Sequence, residues 1–236
     1  MKEERIYGRN AVLEALRAGD VKRLYVKKDA RDGSMRPILA LAKEKGIVVS
    51  EVSREKLDAL AEGAVHQGVC AYVNDFQYTP FEDLLGGNFL LLLDGIEDPH
   101  NLGAIIRSAH QAGAQGVVIP KRRAASVTST VVKTSAGAVR YTPISQVTNL
   151  SQAVEKLKEA GFWIFGATME GTDYDKTDLS GKVALVIGNE EKGIGPGLMK
   201  HLDGAITIPM VGKIDSLNAS CAAAILAFEV ARQRRG

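Results

Sequence analysis

A chain of 236 residues, 45% hydrophobic and 25% charged, has the composition of an ordinary folded protein and excludes a disordered one. Net charge is only +2 but uneven, with residues 1–72 at +3 and residues 73–236 at −1, so any polyanion-binding surface is expected up front. No apolar run reaches the ~20 residues of a membrane span, no long apolar stretch follows the amino-terminal charges, and Cys70 and Cys221 stand far apart in apolar surroundings; the expectation is a cytoplasmic protein whose cysteines fill two separate cores.

The front of the chain reads as a small α/β unit. Asn10 is placed to cap a helix through Arg17 that Gly19 stops. A strand follows at 21–26, then a charged loop with Lys27, Lys28 and Arg31, a helix at 36–45, a strand at 46–49, a helix at 54–61 and a strand at 68–73. The pattern loosens between Asn74 and Asn88, where a short helix is predicted at Pro80–Leu85. This divides the chain into a domain at 1–73, a linker at 74–88 and a domain at 89–236.

The second part alternates strands and helices as a mostly parallel sheet does. Strands are predicted at 89–93, 116–119, 162–166, 183–187 and 205–208, with a further short one near 143–147. Helices are predicted at 101–112, 127–134, 150–160, 197–202 and 218–233. Phe89–Leu93 is apolar without alternation, which suits a strand covered on both faces. The chain then turns through Asp94, Gly95, Asp98 and Pro99, which puts Asn101 near a helix start and Arg107 about two turns in. Taken alone, Asn101 is as readily a helix cap as a ligand, and Arg107 as readily a surface cation as the margin of a pocket.

Lys121, Arg122 and Arg123 follow the next strand, with Ser126 to Thr130 behind them, a composition able to grip phosphate. The run ALVIGNEEKGIGPGL (184–198) carries another strand into a glycine-rich turn with Glu190 at its mouth. Its spacing is neither GxGxxG after a first strand nor GxxxxGK[ST]. A third block, 205–233, runs from strand through loop to an alanine-rich helix opened by Ser216 and Asn218. The four histidines show no metal-ligand spacing, and no metal is expected.

Three of these stretches, DPHNLGAIIRSA (98–109), LVIGNEEKGI (185–194) and IPMVGKIDSLNASCA (208–222), resemble the motifs of the SpoU, or TrmH, family of ribose 2′-O-methyltransferases in the SPOUT class. The front segment, with YGRNAVLEAL (7–16) and HQGV (66–69), resembles the substrate-binding domain of the bacterial 23S rRNA guanosine-2′-O-methyltransferases. The resemblance implies an α/β fold: a SPOUT-type parallel sheet with a carboxy-terminal trefoil knot, preceded by a small L30e-like domain that helps hold RNA. It implies S-adenosylmethionine as cofactor and a homodimer with the active site near the subunit interface. Carried over by position, it implies catalytic roles for Arg107, as the proposed base for the ribose hydroxyl, and for Asn101, Glu190, Ser216 and Asn218. It implies cofactor contacts from Gly188, Ile208, Leu217, Asn218 and Thr168.

The motif-two stretch departs from many relatives, with Glu191 and Lys192 where a glycine is common. The expected partner is RNA, most specifically 23S rRNA, gripped by Arg9, Lys27, Lys28, Arg31, Lys121, Arg122 and Arg123. Three rivals make distinct predictions: a tRNA or other rRNA methyltransferase, a non-catalytic RNA-binding or ribosome-assembly protein, and an unrelated α/β enzyme binding NAD or ATP.

Overall fold

The computed structural model of the chain describes residues 5–30, 32–74, 76–212 and 216–235. Their contacts form two compact units: Met1–Gln77 together with Val127–Arg140, and Tyr78–Ser126 together with Tyr141–Gly236.

In the first unit a four-stranded sheet, ordered β1 (Arg5–Tyr7), β4 (Val69–Val73), β2 (Val21–Lys27), β3 (Val48–Val52), carries α1 (Arg9–Ala18), α2 (Arg36–Glu44) and α3 (Arg54–Leu60). Strand alternation decides which helix covers which face. Val69, Ala71 and Val73 join the core of Val12, Leu16 and Ile38 from α1 and α2, whereas Cys70 turns the other way onto Leu57 and Leu60 of α3. Burial pushes the Cys70 thiol up to about 11, so it is inert.

Helix α1 begins one residue before Asn10, which is exposed and caps nothing. Gly8, at φ 91°, is the N-cap, and the first helical amide, Arg9 N, donates to Gln67 Oε1 at 2.9 Å. The cap therefore comes from 58 positions away and is invisible to local propensity. At the other end Gly19 adopts φ 78° and donates to Ala15 and Leu16 carbonyls, the left-handed stop that its sequence position suggests.

The segment Val127–Arg140, expected within the 89–236 domain, clusters instead with the first unit. Its helix α5 (Ser129–Thr134) buries Val131 and Val132 and packs on β1 and α1. Arg140 pairs with Asp20, and Gly137 leaves room for Glu14, whose side chain lies 2.9 Å from where a Cβ would stand.

The second unit is a six-stranded sheet in the order β10 (Gly204–Thr207), β8 (Trp163–Asp173), β9 (Val183–Gly188), β5 (Phe89–Asp94), β6 (Gly116–Pro120), β7 (Ile144–Val147), with every pairing parallel. Leu90 and Leu92 share a core with Ala184, Val186 and the inward residues of α6 (Leu150–Glu159). Leu91 and Leu93 are equally buried on the opposite face, where α4 (Pro99–Gln111) and α8 (Ala219–Arg234) pack on the sheet and on each other. Burial on both faces is what the unbroken apolar run of β5 requires.

Other expectations shift in detail. The 80–85 helix is a 3₁₀ turn at Phe81–Leu84, and the 197–202 helix shrinks to α7 (Pro196–Met199). Strand β8 runs seven residues past its expected end at Gly166. Cys221 is exposed rather than core filler, because α8 is apolar on all sides and its sequence cannot say which side faces out.

Candidate active site

The site is built where strand ends line up. Register sets Asp94 of β5 opposite Gly188 of β9, so the loops that follow both strands leave the sheet side by side. After β9 the chain doubles back: Asn189 and Gly193 exchange backbone hydrogen bonds at 3.1 and 2.9 Å. Two side chains strap this turn to the neighbouring strand. Asn189 Nδ2 donates to Gly95 O at 2.8 Å while its Oδ1 accepts from Glu191 N and Lys192 N, and Asp94 Oδ2 accepts from Gly195 N at 2.8 Å. At Gly188 a Cβ would lie 2.3 Å from the Gly193 carbonyl carbon, so only glycine lets the turn close.

The third side of the site comes from β8 and β10. Their pairing breaks between Ala205 and Ile206, whose partners are Gly166 and Thr172, so residues 167–171 bow out of the sheet as a wall. Thr207 Oγ1 pins the wall to Met169 O at 3.1 Å. Helix α8 then starts at its N-cap Asn218, whose Oδ1 accepts from Ser220 N at 2.9 Å.

These elements enclose a cleft of about 820 Å3, within the range of small-molecule sites. Thr168, Gly188, Glu190, Ile208, Ser216 and Leu217, six of the expected site residues, line it. At its mouth Asn101, Glu190 and Asn218 form one hydrogen-bonded cluster: Asn101 Nδ2 donates to Glu190 Oε1, and Asn218 Nδ2 donates to Asn101 Oδ1 at 3.0 Å. Asn101 is thus freed from capping α4, because Asp98 does that by accepting from His100 N at 2.9 Å.

Arg107 is placed differently. It is exposed and does not line the cleft. Six residues beyond Asn101 on α4, it stands about 9 Å further along the axis and roughly 120° round the helix.

The basic candidates fall into two groups. Lys121, Arg122 and Arg123 are exposed on a loop anchored by Ala125 N to Ile96 O at 2.8 Å, beside the β5 tip; α5 starts only at Ser129, so they do not sit at its first turn. In the first unit Arg9, Lys27 and Lys28 line a separate cleft of about 870 Å3, with Arg54 as a further cation that sequence reasoning missed. Lys27 and Lys28 are exposed, while Arg9 is held by Asp32 in a two-pronged contact (2.6 and 2.8 Å) and by Gln67 O at 3.0 Å. That guanidinium holds the Asp32 carboxyl below its ordinary range. Arg31 lies outside the described residues.

Asn189, Asp94, Ser220 and, apart from Thr168, the 167–171 wall were not singled out from sequence as site residues. The only local signals for them are an acid ending an apolar strand and a polar residue two places after a helix cap.

Among the described residues no three His, Cys, Asp or Glu side chains gather as metal ligands, and no helix is long and apolar enough to cross a membrane.

Comparison with known proteins fits this geometry. Residues 88–228 match the SpoU rRNA methylase family, and residues 5–79 match the RNA 2′-O ribose methyltransferase substrate-binding family. The chain is 42% identical over 238 residues to the Bacillus subtilis protein YacO, named for the TrmH family of tRNA/rRNA methyltransferases, covering 97% of this chain and 95% of that one. Among solved structures it is similar to the AdoMet-bound rRNA methyltransferase of Sinorhizobium meliloti (TM-score 0.83, 28% identity, 98% and 87% of the two chains). It is similar also to the SpoU methyltransferase AviRb of Streptomyces viridochromogenes in complex with AdoMet (TM-score 0.85, 26% identity, 99% and 91%). The fold and site define a parallel α/β methyltransferase with its cleft at the strand tips, and the chain belongs to the SpoU rRNA methylase family. Membership classes it as an S-adenosylmethionine-dependent RNA ribose 2′-O-methyltransferase.

Proposed function

We propose that this protein methylates the ribose 2′-hydroxyl of one nucleotide in a structured RNA, most specifically a guanosine of 23S rRNA, with a tRNA or another rRNA site as the closest rival. The observation that carries the reading is the hydrogen-bonded cluster of Asn101, Glu190 and Asn218 at the mouth of a cleft suited to the cofactor. The cleft suits S-adenosylmethionine because Ile206, Ile208 and Leu217 supply an apolar wall, while the bare backbone at Gly188 allows close approach. When bound, the cofactor supplies an already activated methyl group, so the protein has to align the hydroxyl and take up its proton.

Arg107 is assigned to electrostatic stabilisation of the ribose oxygen and an adjacent phosphate, for which its planar, permanently charged fork is suited. Its position outside the cleft of its own chain supports a site completed across a homodimer. So does α8, on which Cys221, Ile225, Phe228 and Arg232 form an outward stripe, with Ile225 and Phe228 37% and 46% exposed. The carboxy-terminal chain is assigned the trefoil knot of the SPOUT class. Residues 1–73 are assigned to RNA binding through Arg9, Lys27, Lys28 and Arg31, with Lys121 to Arg123 holding phosphates beside the reacting nucleotide. Particular preference for 23S rRNA rests on the likeness of the front segment alone.

The test is to incubate the protein with methyl-labelled S-adenosylmethionine and total RNA from a strain lacking its gene, then map the labelled nucleotide. Label at one 2′-hydroxyl of 23S rRNA is the expected result, and label in tRNA moves the substrate to the rival. No transfer to any RNA favours the non-catalytic RNA-binding alternative.

A further inference from the structure

The cleft at the strand tips is lined unevenly. Its apolar side comes from β10, the loop after it and α8, through Ile206, Ile208, Leu217, Ala222 and Leu226. Its charged side chains, among the described residues, are Glu190, Glu191 and Lys192, three consecutive positions of the turn after β9. Two carboxylates against one ammonium leave that turn with an excess of one negative charge. The main chain beneath the last two is fixed: Asn189 Oδ1 accepts from Glu191 N at 3.0 Å and from Lys192 N at 3.2 Å, Asn189 Nδ2 donates to Gly95 O at 2.8 Å, and Gly193 N donates to Asn189 O at 2.9 Å. Both side chains are exposed, and among the described residues neither meets a side chain that would pair with it. Glu190 differs, because Asn101 already donates to its Oε1.

We propose that Glu191 and Lys192 read the amino-acid end of the cofactor, Lys192 Nζ taking its carboxylate and the Glu191 carboxylate its ammonium. S-adenosylmethionine is divided as the cleft is: the adenosine end is uncharged, and the other end gathers a sulfonium, an ammonium and a carboxylate that sum to one positive charge, the complement of the turn. The proposal rests on the assignment of this cleft to the cofactor. The chain departs from the motif-two pattern at these residues, so no role for them comes with the family resemblance.

The rival use of Lys192 is a grip on an RNA phosphate. A phosphate reaching it would meet the carboxylates of Glu190 and Glu191 on the preceding positions, and like charges side by side oppose its approach. A group that carries both signs close together is drawn by Glu191 and Lys192 at once. Because both side chains are exposed, each contact is partly screened by water and salt, and its effect on affinity is modest.

Calorimetric titration of wild type, Lys192→Met and Glu191→Gln with four ligands tests this. S-adenosylhomocysteine and 5′-methylthioadenosine share the adenosine and the thioether and differ in the amino-acid end, whereas S-adenosylmethionine and its decarboxylated form differ in the carboxylate alone. Lys192→Met is expected to weaken S-adenosylmethionine and S-adenosylhomocysteine about three- to tenfold, and to leave 5′-methylthioadenosine and decarboxylated S-adenosylmethionine within about twofold of wild type. Glu191→Gln is expected to weaken all three ligands that carry the ammonium by a similar factor and to spare 5′-methylthioadenosine, whose unchanged affinity also shows that each variant is folded with its cleft intact. Filter retention of labelled total RNA is expected to stay within about twofold of wild type for Lys192→Met, since one phosphate contact fewer would lower it and flatten its salt dependence. Either variant binding S-adenosylhomocysteine as the wild type does overturns the proposal. So does an equal loss for S-adenosylhomocysteine and 5′-methylthioadenosine, which makes the residue a support of the turn, and so does a loss confined to RNA, which makes Lys192 a phosphate contact. Wild-type protein that binds none of the four ligands overturns the assignment of the cleft to the cofactor, which separates the two failures.

Discussion

At Gly188 the difference between a working and a collapsed site is one methyl group. A Cβ there would sit 2.3 Å from Gly193 C and 2.4 Å from Ile194 N, and both obstacles are backbone that cannot rotate away. Gly188→Ala is expected to cost about 1–3 kcal/mol in thermal unfolding. Calorimetry on the folded variant should find cofactor affinity weakened at least about tenfold, because the turn that lines the cleft has to open. Arg107 poses the opposite problem, since its charge matters only with its geometry. Arg107→Lys keeps the charge and loses the planar fork, so single-turnover methylation is expected to drop by about 10²-fold with cofactor affinity unchanged. A near wild-type rate would show that charge alone suffices and that the proposed role is wrong.

Helix α8 joins the site to the interior. Its cap, Asn218, stands at the cleft mouth, and about three turns later it buries a carboxylate: Glu229 is only 7% exposed, accepts from Arg232 at 2.7 and 2.8 Å and also receives Gln233 Nε2. The Arg232 hydrogen bonds, against the cost of burial, hold the Glu229 carboxyl below its ordinary range. A carboxylate with a depressed folded value adds stability above its unfolded pKa of ~4.3, and that contribution is lost as pH falls through the folded value. Glu229→Gln is therefore expected to lower Tm near pH 7, with the gap to wild type closing below about pH 4 in a series of thermal melts. A gap of constant size would mean that the pair contributes through shape and not charge. The same helix shows what periodicity conceals. Its run of Ala219, Ala222, Ala223 and Ala224 announces close packing, yet only the fold reveals that Cys221, Ile225 and Phe228 are left outward.

For the whole molecule, that outward stripe is the surface assigned to a second copy of the chain. Phe228→Asp should convert a dimer into a monomer by sedimentation and reduce methylation, with the melting of the second unit little changed because Phe228 is outside the core. A wild-type protein that sediments as a monomer at micromolar concentration would rule this surface out as a stable dimer contact.

The sequence by itself determined most of the elements, though not β1, and the three loops that carry the motifs. Phe89–Leu93 and Val183–Ile187 are apolar without interruption, which only strands buried on both faces tolerate, and each runs into residues that cannot continue a strand. Only the tertiary structure decided what those loops do together. Pairing Asp94 with Gly188 is a choice made between strands far apart in the chain, and nothing local encodes it. The same holds for the cap that Gln67 lends to α1 and for the wall at 167–171, created where β8 and β10 lose register. It holds also for the association of 127–140 with the first unit and for the position of Arg107 outside the cleft. Local propensity and periodicity report how a residue meets its near neighbours along the chain, whereas a site is a meeting of residues such as Asn101, Glu190 and Asn218, brought together by burial energy summed over the entire sheet.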